Sequence, residues 1–291
     1  MKLIIQPDDG VNPILTAIRT ATTDVRIVIF RFDLPALEDE LKKAVTRGVP
    51  VHALIANTNR GGEKRLRKLE QRLLDGGVIV ARTADDLSRY HGKVMIADKS
   101  LYVLGFNYTH LDIDRSRSFG LVSSDARLLK AATDLFESDA TRQPYKATEE
   151  RLVVSPENAR PVLQNFVQGA KRSLCVYDMN LSDRRMMKIL NERKQAGVEI
   201  RIIGKAPKLP DGIGLRKMVK YRLHVRAIVR DGNRAFVGSQ GLRKNELDNR
   251  REVGVLVTDP RVAGRIQKVF EEDWENGKPK QEPEPLKTPK Q

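Results

Sequence analysis

The chain carries one pattern twice. Residues 91–105 read HGKVMIADKSLYVLG and residues 224–238 read HVRAIVRDGNRAFVG, so His91, Lys93, Asp98 and Gly105 recur as His224, Arg226, Asp231 and Gly238 at a constant spacing of 133 residues. In each copy the histidine and the cation two positions on share one face of an extended strand, because side chains alternate sides, and both can reach one bound anion. Asp98 and Asp231 close the first apolar run in a turn, and a second run returns toward the glycine, which makes each copy a hairpin. A duplication this regular directs a chain of 291 residues into two similar halves packed as an internal pseudo-dimer.

The flanking segments repeat as well. Apolar spacing predicts a helix over residues 11–18 with Asp9 as its candidate cap, a buried strand over 25–30, a helix from Pro35 to Gly48 and a strand over 51–55, which is a βαβ unit. A basic helix over 63–74, a strand over 78–81, the hairpin, a strand over 118–122 and a helix over 126–139 complete the first half. The second half runs in the same order: helix 159–170, strand 173–176, helix 183–196, strand 199–203 and hairpin. It also ends alike, with Phe119, Gly120 and Asp125 answered by Val253, Gly254 and Asp259. The class is α/β, with halves at 1–145 and 146–276 divided in the polar stretch 141–150. Residues 205–214, KAPKLPDGIG, predict a loop near the site. Residues 277–291 are rich in Pro, Lys and Glu, which predicts a disordered tail.

Composition narrows the partners. A formal charge of +15 points to a polyanionic contact, either an anionic membrane surface or nucleic acid, or else to simple solubility. The single cysteine, Cys175, excludes an intramolecular disulfide and reads as a buried inert thiol. The amino-terminal apolar run is too short for a secretory signal, and no 18 apolar residues follow one another, so a soluble, cytoplasmic protein is expected, peripheral at a membrane if its substrate is a lipid. His52, in an apolar strand, reads as structural. The run Arg60, Lys64, Arg65, Arg67 and Lys68 reads either as a polyanion-binding face or as a solvated helix surface.

The order histidine, any residue, lysine, four residues, aspartate, then Gly-Ser and Asn resembles the catalytic motif of the phospholipase D superfamily, and the likeness covers residues 1 to 275. It implies two phospholipase D-like α/β sandwich halves related by a pseudo-two-fold axis, with His91 and His224 facing each other across one cleft. It further implies that His91 attacks phosphorus to form a phosphohistidine and that His224 protonates the leaving oxygen, then activates water or an acceptor alcohol. Lys93, Arg226, Asn107 and Ser239 are implied to bind the phosphate. Asp98 and Asp231 complete the motif's catalytic set, although their place at hairpin turns reads as anchoring rather than proton transfer. Two histidines and two cations supply nucleophile, acid and charge neutralisation, so no metal or other cofactor is called for.

The copies differ from the family pattern in informative places. Arg226 stands where lysine is usual, which exchanges a compact point charge for a planar fork. The first half reads Gly105-Phe106-Asn107 and lacks the serine, whereas the second keeps Ser239 but has Gly241 in place of the asparagine. In the family a downstream acid orients a histidine through its second ring nitrogen. Glu252, 11 residues after Gly241, is expected to do so for His224, and the same count from Asn107 reaches Ser118, which leaves the first half without its acid. Asp112 or Asp114 is a candidate substitute. With His110 these two also read as hard-cation ligands or as solvated residues. Three functions remain open: a phosphodiesterase or phosphatidyltransferase acting on phospholipid headgroups, a metal-independent nuclease, and a degenerate phosphate-binding protein. The duplicated motif within one chain favours the first, acting as a monomer.

Overall fold

The computed structural model describes residues 1–59, 62–207 and 209–279. In the first half, β1 (Lys2–Gln6), α1 (Asn12–Thr20), β2 (Val25–Ile29), α2 (Pro35–Thr46), β3 (Val51–Ile55), α3 (Glu63–Asp75), β4 (Ile79–Arg82) and β5 (Arg89–Tyr90) lead to the hairpin of β6 (Val94–Ala97) and β7 (Ser100–Leu104). After it come α4 (His110–Asp114), β8 (Ser116–Ser123) and α5 (Ala126–Thr141). The second half follows with β9 (Leu152–Ser155), α6 (Ala159–Gln168), β10 (Ser173–Asp178), α7 (Arg184–Gln195), β11 (Glu199–Gly204), β12 (Gly214–Lys217) and β13 (Arg222–Leu223). Its hairpin is β14 (Ala227–Arg230) with β15 (Arg234–Gly238), and α8 (Lys244–Asp248), β16 (Arg250–Val257), α9 (Pro260–Glu275) and β17 (Lys278–Pro279) complete it.

The same strand order is built twice. The first sheet runs β1-β8-β7-β6-β2-β3-β4, and the second runs β9-β16-β15-β14-β10-β11-β12 with β17 beyond β12. In both, the βαβ strands are parallel and the hairpin strands antiparallel. Helices α1, α2 and α3 cover the outer face of the first sheet, and α6 and α7 cover the outer face of the second. The inner faces of both sheets share one central core with α5 and α9, which explains why the β6 and β14 strands are apolar on both sides. This is the expected α/β architecture of two similar halves.

Several local expectations are corrected. Asp9 does not cap α1; its carboxylate accepts the Ile5 amide, and the helix starts at Asn12 after Val11, which offers no side-chain cap. The aspartates that do cap are Asp125, Asp183 and Asp259, each accepting amides of the first helical turn. Residues 205–214 are not all loop, because Gly214 opens β12, which lies parallel to β11 as β4 lies beside β3. Lys278 and Pro279 form a short edge strand beside Arg216 and Lys217; the rest of the expected tail, 280–291, lies outside the described residues, as does Arg60 of the basic run. Cys175 is buried in the central core, and burial pushes its thiol up.

Candidate active site

Each motif histidine stands one residue beyond a strand that has crossed into the opposite half. β5 runs parallel to β16, with Arg89 beside Arg250 and Tyr90 beside Arg251, and the amides of His91 and Gly92 donate to the Arg251 carbonyl at 2.7 and 2.9 Å. β13 runs parallel to β8 in the same way, and the His224 amide donates to the Arg117 carbonyl at 3.2 Å. The exchange is reciprocal, as a pseudo-two-fold relation requires. The same two arginines lock it. Arg117 Nε donates to Asp273 at 2.9 Å, and Arg251 Nε donates to Asp139 at 3.0 Å, each pair joining β8 or β16 to the last long helix of the other half. At the centre the hairpins touch backbone to backbone: a Cβ on Gly105 would lie 2.9 Å from the Phe119 oxygen and 3.2 Å from that of Gly238.

The crossing gathers the motif residues into one buried cluster. His91, Lys93, Asn107, Asp112, His224, Arg226, Ser239, Glu246 and Glu252 are all buried. His91 Nδ1 lies 2.8 Å from Glu252 Oε2, and Lys93 Nζ lies 2.9 Å from both ring nitrogens of His91. Glu252 therefore meets the histidine of the other half, not His224. His224 Nδ1 is instead 3.4 Å from Asp112 Oδ2, a carboxylate of the first half held by the Asn107 amide (2.8 Å), Asn107 Nδ2 (2.7 Å) and Arg222 (2.7 Å). Asp112 thus fills the gap left by Ser118, whose hydroxyl donates to the His224 carbonyl. Asp114 stays on the surface and pairs with His110 at 3.1 Å, so His110, Asp112 and Asp114 do not converge on one point.

Other expectations fare unevenly. Ser239 is buried: its hydroxyl accepts the Val253 amide at 3.1 Å and donates to the Val253 carbonyl at 3.3 Å, so both its hydrogen-bonding roles are spent on β16 next to Glu252. Asp98 and Asp231 lie outside the cluster. Asp98 accepts the amides of Thr22, Thr23 and Asp24, and Asp231 those of Lys171, Arg172 and Ser173, so each ties its hairpin turn to the start of the neighbouring strand. Two buried carboxylates of the cluster were not read from the sequence. Glu246 accepts the Gly241 amide at 2.7 Å and Arg226 Nε at 3.3 Å; Asp178, at the end of β10, accepts the Leu242 amide at 2.6 Å. The signal for Glu246 was present, because past the hairpin the repeat spacing becomes 134 and carries Asp112 to Glu246, Arg117 to Arg251 and Asp139 to Asp273. A Cβ at Gly241 would meet Glu246 at 2.8 Å and Asp178 at 3.2 Å, so these acids occupy the room of the absent asparagine.

Burial sets the charges. Burial drives His91 well below the usual imidazole range, and the charges of Lys93 and Arg226 add to this; His224 is lowered by burial too, against the pull of Asp112. Both rings are therefore neutral at pH 7, which leaves a lone pair for attack on phosphorus. Lys93 is brought down to about 7 by burial, although Glu252 opposes the shift. Arg226 keeps its charge, since burial works against it but Glu246, Glu252 and Asp178 hold it up. Burial raises Glu252 as well, and Asp178 to about 6. His91 and His224 both feel the same two cations, Lys93 and Arg226, so they belong to one electrostatic site. Arg226 Nη1 is buried without a partner among the described residues, as expected of a donor that awaits an anion.

The family model described as cardiolipin synthase, phospholipase D-like domain matches residues 14–140 and 163–274, once over each half. The chain belongs to this family. Its fold is also that of two solved proteins: polyphosphate kinase from Porphyromonas gingivalis, with TM-score 0.79 at 18% identity over 97% of this chain and 50% of that one, and phosphatidylserine synthase from Haemophilus influenzae, with TM-score 0.69 at 11% identity over 94% and 85%. Among curated proteins it resembles polyphosphate kinase of Vibrio vulnificus strain YJ016, 24% identical, and that of Vibrio parahaemolyticus, 22% identical. Each match covers 91% of the chain, which spans 42% of the length of these relatives.

Proposed function

We propose that the protein transfers a phosphatidyl or related phosphoryl group from a phosphodiester, with His91 as the nucleophile and a phosphohistidine as the intermediate. The observation that carries the reading is the pair of neutral, buried histidines sharing Lys93 and Arg226 within one cluster. Glu252 fixes the Nδ1–H tautomer of His91, which puts the attacking lone pair on Nε2, beside Lys93 Nζ at 2.9 Å, and the lysine turns to the phosphate as the nitrogen attacks. The P–O bond to the headgroup then breaks as the N–P bond forms, and His224, protonated once the anionic phosphate is bound, gives its proton to the departing oxygen. Water or an alcohol reverses the sequence with His224 as base. Phospholipid headgroups are the proposed substrate, met at an anionic membrane surface that the +15 charge favours. No helix among the described residues is long and apolar enough to cross a membrane. Because the two halves complete one site, a monomer suffices.

A second reading is phosphoryl transfer on condensed phosphate. The curated relatives named polyphosphate kinase favour it, and it uses the same first step. The test is to incubate the protein, in chelator, with a chromogenic phosphodiester, mixed phospholipids, single-stranded DNA and polyphosphate in parallel. Phospholipid turnover supports the first reading. Turnover of polyphosphate alone supports the second, steeply salt-dependent cleavage of DNA supports a nuclease, and no turnover of any contradicts catalysis.

A further inference from the structure

The second half departs from the first at four places that gather around one side chain. Arg226 stands where the first half has Lys93, Gly241 where it has Asn107, and Glu246 where it has Asp112, an acid one methylene longer. The strand registers add a fourth exchange. Val25 faces Ala97 and Leu174 faces Arg230 beside the equivalent hairpins, which sets Ile29 of β2 against Asp178 of β10. A carboxylate buried where its counterpart is aliphatic is costly unless something pairs with it.

Backbone donors meet part of that cost: Asp178 accepts the Asn180 and Leu242 amides at 2.7 and 2.6 Å, and Glu246 accepts the Gly241 amide at 2.7 Å. The rest falls to Arg226. Glu246 Oε2 accepts Arg226 Nε at 3.3 Å, while Oε1 accepts Arg243 and Arg250 at 3.3 and 3.2 Å, so this carboxylate is spent on donors and does not repel a bound anion. Asp178 adds negative charge that keeps the guanidinium ionised despite its burial. A guanidinium tied at Nε has its remaining nitrogens fixed in direction, whereas an ammonium such as that of Lys93 swings on a four-carbon stem. Nη1 is the buried donor left over once the tie is made.

We infer that Glu246 is a positioning residue: with Asp178 behind it, it clamps Arg226 by Nε and aims Nη1 at the phosphate, so that the second half holds the substrate anion with a fixed guanidinium fork and the first half with a swinging ammonium. The inference rests on the phosphate-binding role given to Arg226 above and deepens it. Gly241 belongs to the same device, because a Cβ there would lie 2.8 Å from Glu246 and 3.2 Å from Asp178, in the room that the two carboxylates need.

The test measures kcat and KM of the full chain for bis(4-nitrophenyl) phosphate. Glu246→Gln is expected to raise KM about tenfold or more with a smaller change in kcat, and Arg226→Ala to cost more than that. In the double variant the loss from Glu246→Gln disappears, because Glu246 acts through Arg226 alone. Added guanidinium is expected to restore Arg226→Ala about tenfold or more, methylammonium to restore it far less, and neither to restore the double variant, which lacks the carboxylate that would seat the cation. Gly241→Ala crowds both acids without removing either; it is expected to raise KM in the same way and carries the test if Glu246→Gln does not fold, with melting curves as the check on each protein. A wild-type KM in folded Glu246→Gln or Gly241→Ala, additive losses in the double variant, or equal rescue by the two cations overturns the inference and leaves the phosphohistidine intact. Wild-type kinetics from Arg226→Ala overturns it together with the phosphate-binding role of Arg226. Absence of turnover by the wild-type chain overturns the underlying reading too.

Discussion

Glu252 of the second half lies 2.8 Å from Nδ1 of His91 in the first, so the proposed nucleophile and the carboxylate beside it come from different repeats. Neither half holds a complete site. Glu252→Gln is expected to lower kcat by about 10²-fold or more, because an amide can donate to Nδ1 and hold the wrong tautomer. Wild-type rates from the variant contradict the pairing.

His224 depends on a different acid. Asp112→Asn should leave formation of the phosphohistidine with a nitrophenolate leaving group nearly unchanged and slow it for alkoxide leaving groups by roughly 10²-fold, since a general acid matters in proportion to the basicity of the departing oxygen. A series of donors of graded leaving-group pKa measures this as a steeper slope. An unchanged slope removes Asp112 from the account.

Asp98 and Asp231 bear on stability rather than chemistry. Replacing either by alanine strips acceptors from three backbone amides and is expected to cost roughly 0.5–2 kcal/mol, with kcat unaltered while the protein remains folded. Chemical denaturation beside an activity assay separates the two effects. A large loss of kcat without loss of stability restores the catalytic role that the motif suggests.

Lys93 predicts the pH dependence. Burial brings it from the ordinary 10.5 to about 7, and a bound diester anion, whose own charge is constant across this range, must draw the proton back. Affinity for a non-reactive phosphodiester should therefore weaken as pH rises above about 7, with protons taken up on binding. Without ligand the same lysine makes stability rise with pH between about 7 and 10.5, because there the unfolded chain binds the proton that the folded one lacks. Calorimetry in buffers of different ionisation enthalpy reads the uptake directly; no uptake near pH 7.5 contradicts the shift.

How much of this was legible follows from what a local pattern encodes. Periodicity located β3 and the start of α5, and the repeat spacing located both histidines and their cations, since these are properties of neighbours along the chain. The strands β1 and β9 went unread, being short apolar runs beside chain ends or boundaries. The partner of Glu252 went wrong for a deeper reason. A count within one half assigns it to His224, but β5 crosses to pair with β16 and puts His91 there, an exchange between halves that spacing cannot show. Glu246 was hidden by a one-residue insertion after Gly238 that shifts the repeat from 133 to 134.

The central claim is a covalent bond to one ring. Acid-labile phosphohistidine is best caught by brief incubation with labelled donor, denaturation in alkali, and mapping of the labelled peptide. Label on the peptide containing His91, absent from His91→Ala and present at reduced turnover in His224→Ala, is the predicted result. Label on the His224 peptide, or turnover with no labelled peptide at all, contradicts it.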